Sequence, residues 1–188
     1  MNTLYKNIHQ GLIDGCREGD RKAQFSIYKL YYKAMYNSAL RIINNSAEAE
    51  DVMQETFLDA FQKIDQYGGL VSFGSWLKRI VINKSLDSLK KVKDFNTIEE
   101  NELNIPESVE EDYLEVLSYK IESIRKAIEN LPDDYRLIIS LFLLEGYDHE
   151  EISKILGISY NLSRTRFSRA KKKLVGSLKK SNVNELTN

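Results

Sequence analysis

Few side chains in this sequence could perform nucleophilic or acid-base catalysis. The chain has two histidines, His9 and His149, and one cysteine, Cys16, which has no neighbouring histidine or second thiol. A lone thiol excludes an intramolecular disulfide and suits a reducing compartment, and we expect it to be an apolar helix residue. His149 stands beside Glu150 and Glu151 and is expected to be a solvated surface residue. The sequence therefore predicts no enzyme active site, no metal site and no cofactor.

The residue types do support binding to DNA near the C-terminus. From Ser159 to Lys180 there are eight basic residues and no acidic one, which predicts a strong positive field. Asn161 and Arg164 suit bidentate base contacts, because a carboxamide matches adenine and a guanidinium matches guanine. The candidate DNA contacts in this segment are Tyr160, Asn161, Ser163, Arg164, Arg166, Phe167 and Arg169, with Lys171 and Lys172 as further phosphate ligands. The alternative is a basic helix that binds only an acidic protein partner.

The preceding residues predict the elements that would position this basic segment. Asp148, with Glu151 three residues on, forms a capping box that begins a short helix. Gly157 ends that helix in the left-handed conformation, and Ser159 caps the next one. Two helices joined by such a tight turn are typical of the helix-turn-helix, whose second helix enters the major groove of double-stranded DNA. Before it, residues 131–134 should end one helix and begin another that runs over about 135–144.

Composition and charge predict an all-α chain of two small domains. The 188 residues include only 9 Gly and 2 Pro, and 42% are hydrophobic, enough for real cores. Residues 94–115 contain nine acidic residues and no Lys or Arg, which predicts an extended linker. We expect an N-terminal helical domain over 1–93, an acidic linker over 94–112 and a helix-turn-helix domain over 113–188. No apolar run reaches the length of a signal peptide or membrane span, so we expect a cytoplasmic protein without membrane insertion.

Two amphipathic patterns predict the core of the N-terminal domain. One or two helices between Asp20 and Ile43 carry an apolar stripe that we expect to be buried: Phe25, Tyr28, Tyr32, Met35, Ala39 and Ile43. Ser46 is expected to cap a further helix whose buried stripe is Met53, Phe57, Ala60, Phe61 and Ile64. Its opposite face consists of Asp51, Gln54, Glu55, Leu58 and Gln62. That face fits either plain solvent exposure or a docking surface.

A glycine-containing loop over 66–72 precedes a long helix in which one aromatic residue lies among cations. Ser72 or Ser75 should cap this helix, which is predicted to run to about Lys91. Its expected core residues are Phe73, Leu77, Ile80, Val81 and Leu86, and its cations are Lys78, Arg79, Lys84, Lys90 and Lys91. Trp76 among these cations fits single-stranded nucleic acid, since phosphates meet the cations and bases stack on the ring. A buried Trp76 with solvated lysines is an equally good interpretation.

Together these segments resemble the extracytoplasmic-function sigma factors of bacteria. The resemblance spans about residues 19–180. It rests on Ala39-Leu-Arg-Ile-Ile43, on Ala49-Glu-Asp-Val-Met-Gln-Glu-Thr-Phe57, on Ser72-Phe-Gly-Ser-Trp-Leu-Lys-Arg-Ile80 with Asn83 and Asp87, and on the stretch from Leu131-Pro132 through Arg169.

The resemblance implies a role for each surface. Asp51, Gln54, Glu55 and Leu58 would dock on the clamp helices of core RNA polymerase. The residues that would recognise and melt the promoter's minus-ten element, and bind its melted single strand, are Ser72, Phe73, Trp76, Lys78, Asn83 and Lys84. The helix-turn-helix would read the minus-thirty-five element, although Asn161 and Leu162 depart from the usual small residue and Thr or Ser. The acidic linker would enter polymerase channels, and an anti-sigma protein would be a further partner.

A free-standing transcriptional regulator is the alternative function. In that interpretation the helix-turn-helix binds DNA unaided, and the N-terminal helices dimerise or sense a signal. The acid-amide-acid face within residues 49–57 argues against it, because a simple dimeriser has no need of such a face.

Overall fold

The computed structural model describes residues 7–92 and 121–186, with side chains described over 7–90 and 121–180, and these parts are all-α. They form two compact units, 7–92 and 121–186. The predicted acidic linker lies outside the described residues. The helices of the first unit are α1 (Gln10–Arg17), α2 (Arg21–Ile43), α3 (Ser46–Gln62), a short 3-10 turn (Ile64–Gln66) and α4 (Phe73–Val92).

In the first unit α2 packs against α1, α3 and α4. Helices α3 and α4 also pack against each other. The side chains at the centre of this bundle are Ile13, Ile27, Ile42, Phe73, Leu77 and Ile82. Cys16 is buried in α1, as predicted, and its burial raises the pKa of the thiol. The predicted region 20–43 is a single helix, begun by the Asp20 side chain, which accepts a hydrogen bond from the Lys22 amide.

Three details of the N-terminal prediction are wrong. Asn45, and not Ser46, caps α3, because its side-chain oxygen accepts from the amides of Ala47 and Glu48. Phe25 and Tyr32 are exposed rather than buried. These rings lie on the outer side of α2, where Lys29 covers Phe25 and Tyr28 stacks on Tyr32 at 5.6 Å. Over the 23 residues of α2, the predicted apolar stripe therefore does not stay on the buried face of the helix.

The second unit contains α5 (Ile121–Glu129), α6 (Asp133–Ile139), α7 (His149–Leu156) and α8 (Tyr160–Leu186). Helix α6 continues as a π-helical turn, Ser140–Leu144, so the predicted helix over 135–144 changes pitch part-way. Pro132 stands at the N-cap of α6. Helix α8 contacts α5, α6 and α7, and the central side chains are Ile138, Ile139, Leu141, Ile152, Leu174 and Leu178. None of the described helices is long and apolar enough to cross a membrane.

Candidate functional site

The polar stripe of α3 is exposed along its length. Asp51, Gln54, Glu55 and Leu58 all face away from the bundle, and Leu58 is 62% exposed although it is a large apolar side chain. The helix buries its other side through Met53 and Phe57, as the pattern predicted. Leu58 is thus a single apolar side chain among the polar groups of this face.

Lys84 of α4 connects this face to the next helix. Its ammonium lies 3.3 Å from Glu55 Oε2 and 3.1 Å from Asp59 Oδ2. The hydrogen bond from Lys84 lowers the pKa of Asp59. The sequence analysis did not identify Asp59 as part of this group. Its position four residues after Glu55 could have indicated it, because residues at i and i+4 are neighbours on a helix. One cation predicted to bind DNA is thus paired with a carboxylate predicted to bind protein.

The loop before α4 is built on buried aromatic rings. Ser72 caps α4, since its Oγ accepts from the Ser75 amide at 3.1 Å. Phe73 is fully buried, with its ring 5.3 Å from Tyr67 and 5.4 Å from Trp76. The prediction that Phe73 contacts DNA does not fit this placement. Its position as the first residue after the cap turns its side chain inward, beneath the loop.

The remaining candidates on α4 differ in exposure. Asn83 is exposed, whereas Trp76, Lys78 and Lys84 are half-buried. Trp76 fits neither interpretation completely, because its ring packs on the buried rings of Tyr67 and Phe73 and yet remains partly exposed. Close packing fixes the start of this helix as well: a Cβ at Gly74 would lie only 3.0 Å from the Tyr31 ring.

The helix-turn-helix forms with the predicted caps. Asp148 and Glu151 form both hydrogen bonds of the capping box, at 2.8 and 3.0 Å. Gly157 ends α7 with φ of 67°, in the left-handed region where a side chain is strained. Ser159 Oγ then accepts from the Leu162 amide at 3.1 Å and begins α8.

The first turns of α8 expose only part of the predicted DNA-binding set. Tyr160, Asn161 and Arg164 are exposed, and the Arg164 guanidinium lies 5.9 Å from the Tyr160 ring centroid. Three further residues predicted to contact DNA, Ser163, Arg166 and Phe167, are buried here. Arg166 pairs with Asp134 at 3.6 Å instead of facing solvent. Arg169 is half-buried, and Lys171, predicted to hold a phosphate, is also buried.

His149 is a packing residue, which corrects the prediction of a solvated surface role. Its ring stacks on Phe142 at 4.7 Å and lies 5.3 Å from Phe167. Its Nδ1 is 3.0 Å from Ser163 Oγ, so the imidazole joins α7 to α8. Burial, and secondarily the charge of Arg164, lowers the pKa of His149. Among the described residues no group of His, Cys, Asp or Glu could hold a metal ion.

Comparison with known proteins accounts for both units. Residues 27–94 match the family model of Sigma-70 region 2, and residues 121–174 match that of Sigma-70 region 4. The chain is 30% identical over 168 residues to an ECF RNA polymerase sigma factor, SigW of Bacillus subtilis, covering 84% of this chain and 90% of that one. The chain belongs to the extracytoplasmic-function (ECF) sigma factors.

Further relatives agree with this assignment. The sigma factor is 30% identical over 178 residues to the ECF RNA polymerase sigma-E factor of Escherichia coli, covering 86% of this chain and 90% of that one. Its fold resembles the sigma factor RpoE of Bartonella quintana, solved with the anti-sigma factor NepR (TM-score 0.52, 24% identity, 82% and 95% of the two chains). It also resembles CnrH, solved with the cytosolic domain of CnrY (TM-score 0.52, 23% identity, 89% and 95%).

The family assignment decides between the two functions that the sequence left open. The protein is an RNA polymerase sigma factor that acts in promoter-specific transcription initiation, and it is not a free-standing regulator. The region 2 match contains α3, the loop and α4, and the region 4 match contains the helix-turn-helix.

Proposed function

We propose that the sigma factor holds core RNA polymerase through the exposed face of α3. The observation that carries this proposal is Leu58, a large apolar side chain left 62% exposed one helical turn after Gln54 and Glu55. Burying such a residue against a partner removes apolar area from water, and the flanking polar groups can fix the orientation. Asp51 extends the same face toward the N-terminus of the helix.

The promoter's minus-ten element is proposed to bind at the loop and along α4 as far as Lys84. Ser72, Trp76, Lys78, Asn83 and Lys84 remain the proposed contacts, while the buried Phe73 supports them from below. An extruded base must recover the few kcal/mol lost on unstacking, roughly what stacking on an aromatic ring supplies. Trp76 is partly exposed, and it is the proposed stacking partner of that base.

The minus-thirty-five element is proposed to bind at the start of α8. Tyr160, Asn161 and Arg164 are exposed and are the proposed base contacts, and Arg169 is a proposed phosphate contact. The buried residues Ser163, Arg166 and Phe167 act by holding α8 in place. This division follows from the rule that the N-terminal residues of a recognition helix reach base edges.

The sigma factor is proposed to perform no chemistry of its own. The polymerase makes the RNA, and the sigma factor supplies promoter choice and opening in the cytoplasm without a cofactor. We further propose control by an anti-sigma protein. Support comes from the family resemblance and from two fold relatives that were solved with anti-sigma partners or with the cytosolic domain of a second protein.

Run-off transcription with purified core polymerase tests the proposal. Genomic promoter fragments should give transcripts only when the sigma factor is present. The double variant Gln54→Ala, Leu58→Ala should weaken core binding by about 10-fold or more, the usual scale for residues at the centre of an interface. Its helix content and thermal unfolding should match those of the parent protein.

Leu30→Ala is the matched control. Leu30 is another exposed leucine, on α2 and outside the proposed face, and its loss should leave core binding unchanged. Equal core binding by the double variant and the parent would refute the docking face. Strong duplex binding by the protein alone, with no transcripts that depend on it, would refute the wider proposal.

A further inference from the structure

The loop between the 3-10 turn and α4 is fastened to residues from the N-terminal end of the chain. Arg17, in the last turn of α1, donates a hydrogen bond from Nη2 to the Tyr67 carbonyl at 2.9 Å. This bond is part-buried and spans 50 residues of sequence. It fixes the backbone at the beginning of the loop.

A single tyrosine hydroxyl fastens the other end. The Tyr67 hydroxyl donates to the Val71 carbonyl at 2.6 Å and accepts from the side-chain amide of Asn7. Tyr67 itself is buried, with its ring edge-on to Phe73. This buried hydroxyl bonds to two polar groups, so its loss would leave both of them without this partner.

Between these two attachments the loop exposes apolar side chains. Leu70 is 62% exposed and Val71 is 50% exposed, directly after Gly69, whose φ is 70°. The Trp76 ring packs on the same tyrosine, at 5.4 Å from the Tyr67 ring. Leu70 and Val71 thus form an exposed apolar edge on a backbone that is held at both ends. Adjacent exposed apolar residues of this kind are typical of a contact surface.

We propose that Tyr67 and Arg17 are positioning residues that set which base the loop admits. They hold the backbone of the loop that carries Leu70 and Val71 in one conformation, so that the loop admits one unstacked base of the melted strand in preference to the others. Asn7 completes the attachment through the Tyr67 hydroxyl. The inference rests on the proposed role of the loop in promoter melting, and it adds the residues that make that role selective.

Tyr67→Phe tests this directly, because it removes one hydroxyl and retains the buried ring. Holoenzyme made with each variant is given a promoter identified by run-off transcription, with each of the four bases placed in turn at every minus-ten position of the non-template strand. For parent holoenzyme one position should show strong preference in open-complex formation. In Tyr67→Phe that preference should fall about 5-fold, the scale of one lost hydrogen bond, while core binding stays constant.

Arg17→Gln is the second variant, with Asp14→Asn as its control. Asp14 pairs with Arg17 at 2.9 Å on the exposed side of α1, so its change removes the ion pair and leaves the bond to Tyr67. Arg17→Gln should reduce base preference, and Asp14→Asn should not. Equal loss of open complexes on all four bases, or preference unchanged in both positioning variants, would overturn the proposal.

A double-mutant cycle separates this inference from the proposed function. Leu70→Ala and Tyr67→Phe should be non-additive in base preference, because both act on the same edge. Additive effects would overturn the positioning role. If Leu70→Ala and Trp76→Ala each leave promoter opening at the parent level, then the loop has no part in melting, and the proposed function fails with it.

Discussion

The exposed face of α3 and the first turns of α8 were both predicted from residue type and spacing, but the structure treats them differently. All four α3 candidates are exposed, whereas three of the seven α8 candidates are buried. Helix α3 packs on α2 and α4 and leaves a wide face open, while α8 is contacted by α5, α6 and α7. Charge and polarity therefore identify a surface reliably only on a helix that is covered from one side.

The largest effects are expected from matched cavities, one in the core of each unit. Leu77→Ala in α4 and Leu174→Ala in α8 each remove a fully buried leucine. Each should lower the free energy of unfolding of its own unit by about 2–5 kcal/mol. Hydrogen exchange resolved by helix would measure this, with protection lost in the substituted unit. A cost below about 1 kcal/mol in either unit would show that its core tolerates collapse better than the burial indicates.

The two arginines at the start of α8 should separate binding from stability. Arg164→Ala removes an exposed candidate base contact and should weaken minus-thirty-five DNA binding by about 10-fold, with thermal unfolding unchanged. Arg166→Ala removes a buried side chain that pairs with Asp134 and should lower stability by about 1–3 kcal/mol. Filter binding and calorimetry on both variants provide the test. The reverse pattern would restore Arg166 as a direct DNA contact.

A smaller effect tests the corrected start of α3. Asn45→Ala removes the cap and should cost about 1 kcal/mol of stability, measured by urea unfolding. Ser46→Ala is the matched control, because Ser46 already lies within the helix and alanine is the better helix former there. If Ser46→Ala were the more costly change, the original assignment of the cap would be right.

The smallest expected effect is a pH dependence confined to the second unit. Burial lowers the pKa of His149 below its ordinary 6.5, and the charge of Arg164 acts in the same direction against that of Asp148. The unfolded chain therefore binds the proton more readily. Stability should be complete above about pH 6.5 and fall as the pH drops toward the lowered pKa of the folded state. In His149→Gln, thermal unfolding curves measured over this pH range should no longer show the loss of stability toward low pH.

Sequence reasoning succeeded where local rules determine the structure. The capping box at Asp148 and the left-handed Gly157 follow from short-range chemistry and were predicted residue by residue. It failed where a distant partner decides. His149 was placed at the surface because its neighbours in sequence are acidic, but Phe142 and Phe167 cover it from other helices. Nothing local in the sequence indicated that Arg17 would reach Tyr67, since 50 residues separate them.

Trp76 is the only tryptophan of the chain, and its ring packs on both Tyr67 and Phe73 at centroid distances of 5.4 Å each. Its intrinsic fluorescence therefore reports on this one place in the molecule without any attached dye. The emission of the indole should change when its surroundings in the loop change. The protein thus carries its own optical probe for following the arrival of DNA in real time.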